Sequence, residues 1–149
     1  MKLEISLKVP IFSTEDKSKV ELCIRNLLDF LPELKEDNEN GITILTSDRI
    51  KVEALKHFYL QIRQSEILDT VRKQAHIKPQ TKQIIFTIHK QALSVGKIAV
   101  VSKDTTSPLG HLELIIKAED ADKFLNWFAP QTVEGKIQNP SKFNSIFNL

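Results

Sequence analysis

Only four glycines, one cysteine, one methionine, one tryptophan and one tyrosine occur among 149 residues. Each scarcity removes a class of chemistry. A single Cys excludes an intramolecular disulfide framework and every multi-cysteine zinc site. Gly41, Gly96, Gly110 and Gly135 stand isolated, so neither a phosphate-cradling loop nor a dinucleotide fingerprint can be written. No apolar run approaches the roughly 18 residues that span a bilayer. The start, Met1-Lys2-Leu3-Glu4-Ile5-Ser6-Leu7-Lys8, alternates too strictly and is too charged for the apolar segment of a signal peptide. Cytoplasmic residence is the expectation. His57, His76, His89 and His111 lack the paired spacings of a helical metal site.

What is present is a globular composition, 41% hydrophobic and 27% charged, in a chain long enough to bury one domain's core. Net charge is only +2, but it is distributed unevenly. Residues 1–48 carry a balance of −4, residues 49–97 one of +7, and residues 98–149 one of −1. The basic middle third is the one electrostatic feature suited to a polyanion. The alternative is solvated charge on amphipathic surface helices.

Leu3, Ile5, Leu7 and Val9 alternate with polar residues, which predicts a strand ended by Pro10. Ser13-Thr14-Glu15-Asp16 offers a helix cap, followed by Val20, Ile24, Leu27, Leu28 and Leu31 at helical spacing until Pro32. Strands at 33–36 and 42–45 flank a turn at Asp37–Gly41. Ser47-Asp48 supplies the next cap. Val52, Leu55, Tyr59 and Ile62 form one helical stripe, and Ile67, Leu68 and Val71 a second beyond Ser65. Strands follow at 83–89, 97–102 and 111–117, then a helix from Asp120 to Phe128 ended by Pro130. The order β-α-β-β-α-α-β-β-β-α predicts an α+β fold, a largely antiparallel sheet with helices packed on one face. Residues 1–137 form the domain, and 138–149 a C-terminal tail. Pro140-Ser141 would cap a short helix there, carrying Phe143, Ile146 and Phe147 on one face. That face docks either on the chain's own core or against another subunit.

The sheet would turn Leu3, Ile5, Leu7, Ile84, Phe86, Ile88, Leu112, Leu114 and Ile116 toward the helices. Its other face would carry Ser6, Lys8, Thr87, His89, His111 and Glu113, with Ile85 and Ile115 as apolar exceptions and no aromatic residue. Sheets that bind single-stranded RNA stack bases on exposed aromatics, so the open face is disfavoured as an RNA platform. In an up-down-up meander His89 and His111 would lie at opposite ends of the sheet, about 20 Å apart at ~3.3 Å per residue, too far to share a metal. Cys23 falls on the apolar stripe of its helix and reads as structural. Glu119, Asp120 and Asp122 suit a helix start. No catalytic residue, metal ligand or cofactor is assigned, and a non-enzymatic protein is expected.

Four stretches, "SEILDTVRKQ", "FTIHKQALSVGKIAVV", "SPLGHLELII" and "WFAPQTVEGK", together resemble the archaeal uncharacterised protein family 0201. The family's loop reads Ser-Pro-Leu-Gly-Pro, where this chain has His111 after Gly110. The resemblance implies a fold similar to the ribosomal protein that binds 5S RNA, members that pair as homodimers, and RNA binding. Within it, Lys90-Gln91-Ala92-Leu93 would form a short helical corner with Leu93 and Val95 tucked beneath.

Two functions follow. The first is RNA binding through Arg49, Lys51, Lys56, Arg63, Arg72, Lys73, Lys78, Lys82, Lys90 and Lys97, reading structured RNA by shape. The second is an interaction module that acts through homodimerisation or a protein partner, with Phe143, Ile146 and Phe147 as the contact.

Overall fold

A computed structural model describes residues 1–149. In chain order it contains β1 (Leu3–Ile11), α1 (Lys17–Leu28), β2 (Lys35–Glu39), β3 (Ile42–Ile50), α2 (Lys56–Gln64), α3 (Leu68–Gln74), β4 (His76–Lys78), β5 (Gln83–His89), α4 (Lys90–Ser94), β6 (Val100–Val101), β7 (His111–Ala118), α5 (Ala121–Phe128), β8 (Thr132–Val133) and β9 (Lys136–Ile137). Short 3-10 segments precede α2 at Val52–Leu55, follow β4, and form the tail at Phe143–Asn148. The main sheet runs β2-β3-β1-β7-β5-β4, with β6 alongside β5. Every paired strand is antiparallel. The α+β expectation stands.

Sidedness follows the alternation in β1 and β7, whereas β5 is buried on both faces from Ile84 to Ile88, Thr87 included, against the expectation of a wet second face. Ile5, Leu7, Ile84, Phe86, Ile88, Leu112, Leu114 and Ile116 are buried in one cluster with the apolar stripes of α1, α2 and α5. At its centre the rings of Phe58 on α2, Phe86 on β5 and Phe128 on α5 lie 5.0 to 5.7 Å apart. Such edge-to-face and tilted arrangements are the ones a ring quadrupole favours.

Several boundaries move. β1 continues through Pro10 to Ile11, beyond its last pair with β7, Lys8↔Glu113; an absent N–H is tolerated where a partner strand has ended. The turn between β2 and β3 shrinks to Asn40-Gly41, both at positive φ (54° and 82°), the backbone of a two-residue hairpin. β3 extends to Ile50 by pairing with β1, and Ser47-Asp48 lies in a strand instead of capping a helix. α3 ends at Gln74, which leaves His76–Lys78 free to form the edge strand β4.

The largest correction concerns the end of the sheet. The expected meander is absent, because β7 inserts between β1 and β5 while β6 shrinks to Val100–Val101 on the outer side of β5. His89 and His111 are consequently cross-strand partners, their rings 5.9 Å apart. The corner after β5 does form a helix, α4, but Val95 lies exposed beyond it while Leu93 is buried.

The start of α1 is organised from elsewhere too. Glu15 leaves the helix alone and accepts from the Phe12 amide at 3.0 Å and from Lys90 Nζ at 2.9 Å. Lys90 Nζ also donates to the Pro10 carbonyl at 2.7 Å, and its side chain is only 3% exposed. This buried pair ties β1 to α4. Nearby, burial pushes the Cys23 thiol pKa up, and its Sγ donates to the Lys90 carbonyl at 3.3 Å. The thiol is structural. Lys90→Met should cost about 3 kcal/mol in urea unfolding, because it strands a buried carboxylate. Lys90→Met with Glu15→Met should cost clearly less than the two single changes summed. Simple additivity would show the pair to be uncoupled.

Candidate nucleic-acid interface

The ten cations of the basic third meet different fates. Arg63 points inward from α2 and donates to the Tyr59, Trp127 and Phe128 carbonyls at 2.8 to 3.0 Å. Its guanidinium lies 3.4 Å from the centre of the Tyr59 ring, and burial lowers its pKa. Arg72 donates to the Ala129 carbonyl at 3.2 Å. Both arginines therefore satisfy carbonyls at the end of α5, where cations suit the helix dipole. Lys90 is consumed by the Glu15 pair. Of the ten expected phosphate contacts, these three make hydrogen bonds within the protein: Arg63 to three carbonyls, Arg72 to one, and Lys90 to Glu15 and the Pro10 carbonyl.

The remaining seven are exposed but dispersed. Lys73 lies on α3, Lys78 on the edge strand β4, and Lys82 beside Glu119 at 2.7 Å. Hydrogen bonds from Lys82 hold the Glu119 carboxyl pKa below its usual range. Lys97 follows α4 at the other end of β5. Arg49, Lys51 and Lys56 gather on β3 and the start of α2. Four strand spacings separate β3 from β4, roughly 19 Å at ~4.8 Å each.

The Arg49 cluster has a structural cause. Ile5 pairs with Ile50 and Leu7 with Ser47, so β3 carries one residue more than β1 across this interval. The excess is a bulge at Asp48-Arg49, and Arg49 adopts φ 57°. A non-glycine residue in the left-handed region costs about 1–2 kcal/mol, and bulges redirect side chains near binding sites. Lys51 then turns the chain into the 3-10 segment that leads to α2.

Two clefts flank this bulge. The first, about 1140 Å³, lies between the loop after α1 and the start of α2, with Phe30, Arg49, Lys51, Lys56, His57 and Leu60 on its walls. The second, about 970 Å³, is bounded by the start of β1, by Ile115 and Lys117 of β7, and by Phe147 of the tail. Charge in both is mixed: Asp48 and Glu53 line each cleft beside Arg49 and Lys51. The chain's four ion pairs use none of these side chains.

The histidine cluster serves the corner. Nδ1 of His89 accepts from the Ala92 amide at 3.1 Å and caps α4. Nε2 of His111 lies 3.0 Å from the Thr105 carbonyl and pins the loop before β7. No group of three His, Cys, Asp or Glu side chains is placed to hold a metal.

The tail divides the expected contact residues. Phe143 and Ile146 are buried in the chain's own core, whereas Phe147 is 52% exposed. Trp127 Nε1 donates to the Phe143 carbonyl at 3.2 Å and the Tyr59 hydroxyl to the Ser141 carbonyl at 2.7 Å. The 3-10 segment starts after Lys142, with no cap from Pro140-Ser141.

A family model described as RNA binding matches residues 4–119. A UPF0201 protein of Sulfurisphaera tokodaii is 34% identical over 132 residues, covering 89% of this chain and 90% of that protein. One of Metallosphaera sedula is 30% identical, with 89% and 91% covered. This chain belongs to the UPF0201 family. The crystal structure of a UPF0201 protein from Methanococcus jannaschii superposes with a TM-score of 0.74 at 24% identity, over 91% of this chain and 99% of that one. It shares the fold. Within the family-matched span lie Phe30, Arg49, Lys51 and Lys56, whereas Phe147 falls outside it.

Sequence reading missed Phe30, His57 and Leu60 as cleft residues. For Phe30 the spacing gave no signal, since it follows Leu27 by three residues; it is exposed because α1 ends at Leu28 and Asp29 turns the chain.

Stability should separate the two kinds of cation. Arg49→Gly should leave urea stability unchanged or raise it by up to about 1 kcal/mol, since it relieves the left-handed strain. Arg63→Ala should lose about 2 kcal/mol, because buried carbonyls lose their donor. A large loss at Arg49 together with a negligible one at Arg63 would contradict the placement.

Proposed function

We propose that this UPF0201 chain is a non-enzymatic RNA-binding protein of the cytoplasm, with Arg49, Lys51 and Lys56 as its principal contacts. The observation that carries the reading is their gathering, without ion-pair partners, on a large cleft. Membership of a family whose model is described as RNA binding supports it. Lys73, Lys78, Lys82 and Lys97 are too dispersed to grip the same few nucleotides and act as secondary contacts. No helix is long and apolar enough to cross a membrane.

A second reading, self-association, is favoured by one observation. β4 is a sheet edge, and its Ile77 is 39% exposed. The opposite edge, β2, is guarded by Lys35, Glu36, Asp37 and Glu39, charges that discourage strand addition. A homodimer would therefore pair through β4. Mass in solution tests this: a monomer at tens of micromolar removes it.

For the RNA reading, fluorescence anisotropy of a labelled RNA should give a log–log salt slope of about −2 to −3, as expected for three neutralised phosphates. All ten cations would give a slope near −7 or steeper. Arg49→Glu with Lys51→Glu should abolish most of the affinity. Unchanged affinity in that variant, or millimolar binding by the unmodified protein at low salt, would refute the reading.

A further inference from the structure

Ten aromatic residues occur in the chain. Seven are buried and Phe12 is half-buried; only Phe30, 43% exposed, and Phe147, 52% exposed, present rings to solvent. Phe30 lines one cleft beside the β3 bulge and Phe147 the other. The two clefts adjoin, because Asp48, Arg49, Ile50, Lys51 and Glu53 belong to both. Elements remote in sequence, the loop after α1 and the C-terminal tail, thus bring the two exposed rings to either side of one ridge that carries Arg49 and Lys51 beside Asp48 and Glu53.

Phe30 follows Asp29, whose left-handed backbone (φ 66°) ends α1 and turns the chain outward. Phe147 shares its 3-10 segment with Phe143 and Ile146, which are buried while Phe147 is not.

We infer that the β3 bulge is a saddle for single-stranded RNA, with phosphates on Arg49 and Lys51 and bases stacked on Phe30 and Phe147. The inference rests on the RNA-binding reading above and adds the strandedness of the ligand. Stacking on exposed rings is sequence-tolerant, since every base has a π-face. The acids give a second reason for a single strand. Asp48 and Glu53 repel the continuous phosphate surface of a duplex, yet accept hydrogen bonds from the amino groups that unpaired bases expose. A duplex keeps its bases stacked on one another and offers nothing to the two rings.

The test compares a labelled ten-nucleotide RNA of mixed sequence with the same strand annealed to its complement, by anisotropy at low salt. The single strand should bind at least tenfold more tightly. Phe30→Ala and Phe147→Ala should each weaken it about tenfold, within the range of one base–aromatic stack, while duplex binding stays unchanged. Phe30→Tyr should restore affinity, because stacking survives the added hydroxyl. Both sites are exposed, and unchanged urea midpoints would show that the variants fold. Binding of single strand and duplex alike, indifferent to both alanine changes, would overturn the saddle and leave the RNA reading intact. Failure of both RNAs to bind would overturn the saddle and the RNA reading together. A change in solution mass with no change in RNA affinity would assign the rings to self-association instead.

Discussion

The antiparallel pairing of β7 with β1 on one side and β5 on the other is the interaction on which the structure depends. It aligns Leu7, Leu114 and Phe86 in one row across three strands, with the Phe86 ring against those of Phe58 and Phe128. Strand side chains alternate with a period of two, so a slip of one residue would invert every apolar position in the row. Burial of this face holds the register, and the register sets the rest. It leaves β3 to pair with the outer side of β1, where the extra residue of the Arg49 bulge is accommodated. It also brings His89 against His111 and leaves β6 as a remnant on the far side of β5.

The cations show how little a residue type says before its surroundings are known. Arg63 and Arg49 are chemically identical, yet one is turned into the molecule and the other out of it. The last carbonyls of α5 have no helical partners, and Arg63 lies within 3.0 Å of two of them; a buried carbonyl without a donor is expensive. Arg49 has no such acceptor, and its backbone sits in a strained region that packing of β3 against β1 imposes. Lys90 is a third case, held by a carboxylate and a carbonyl within a closed corner. Of the ten cations in residues 49–97, three are therefore engaged by the protein's own carbonyls and carboxylate.

Elements whose burial is periodic were legible. The alternation in β1 and β7 and the stripes of α1, α2 and α5 each announce which side is wet, because apolar burial dominates the energetics and leaves a repeating trace; β5, buried on both faces from Ile84 to Ile88, does not. Element ends were less legible. Asn40-Gly41 is the strongest local hairpin signal in the chain, and reading it alone would have placed the β2–β3 turn correctly; the extension of β3 past Ser47-Asp48 comes from pairing with β1. The candidate site was legible only as chemistry: Arg49, Lys51 and Lys56 could be named, but neither their separation from Arg63, Arg72 and Lys90 nor their proximity to Phe30 could.

The sequence by itself determined the class of fold, the two faces of the sheet and the scarcity of residues for disulfide, zinc-cluster or phosphate-loop chemistry. Those properties are local, since each depends on residue type and on spacing within one element. Strand order, the meeting of His89 with His111, the burial of Phe143 and Ile146 against Tyr59 and Trp127, and the placing of Phe30 and Phe147 beside one bulge were decided only by tertiary structure. Each joins segments distant along the chain, and such joins depend on which pairing buries the most apolar surface with its polar groups satisfied. No short window of sequence contains that comparison.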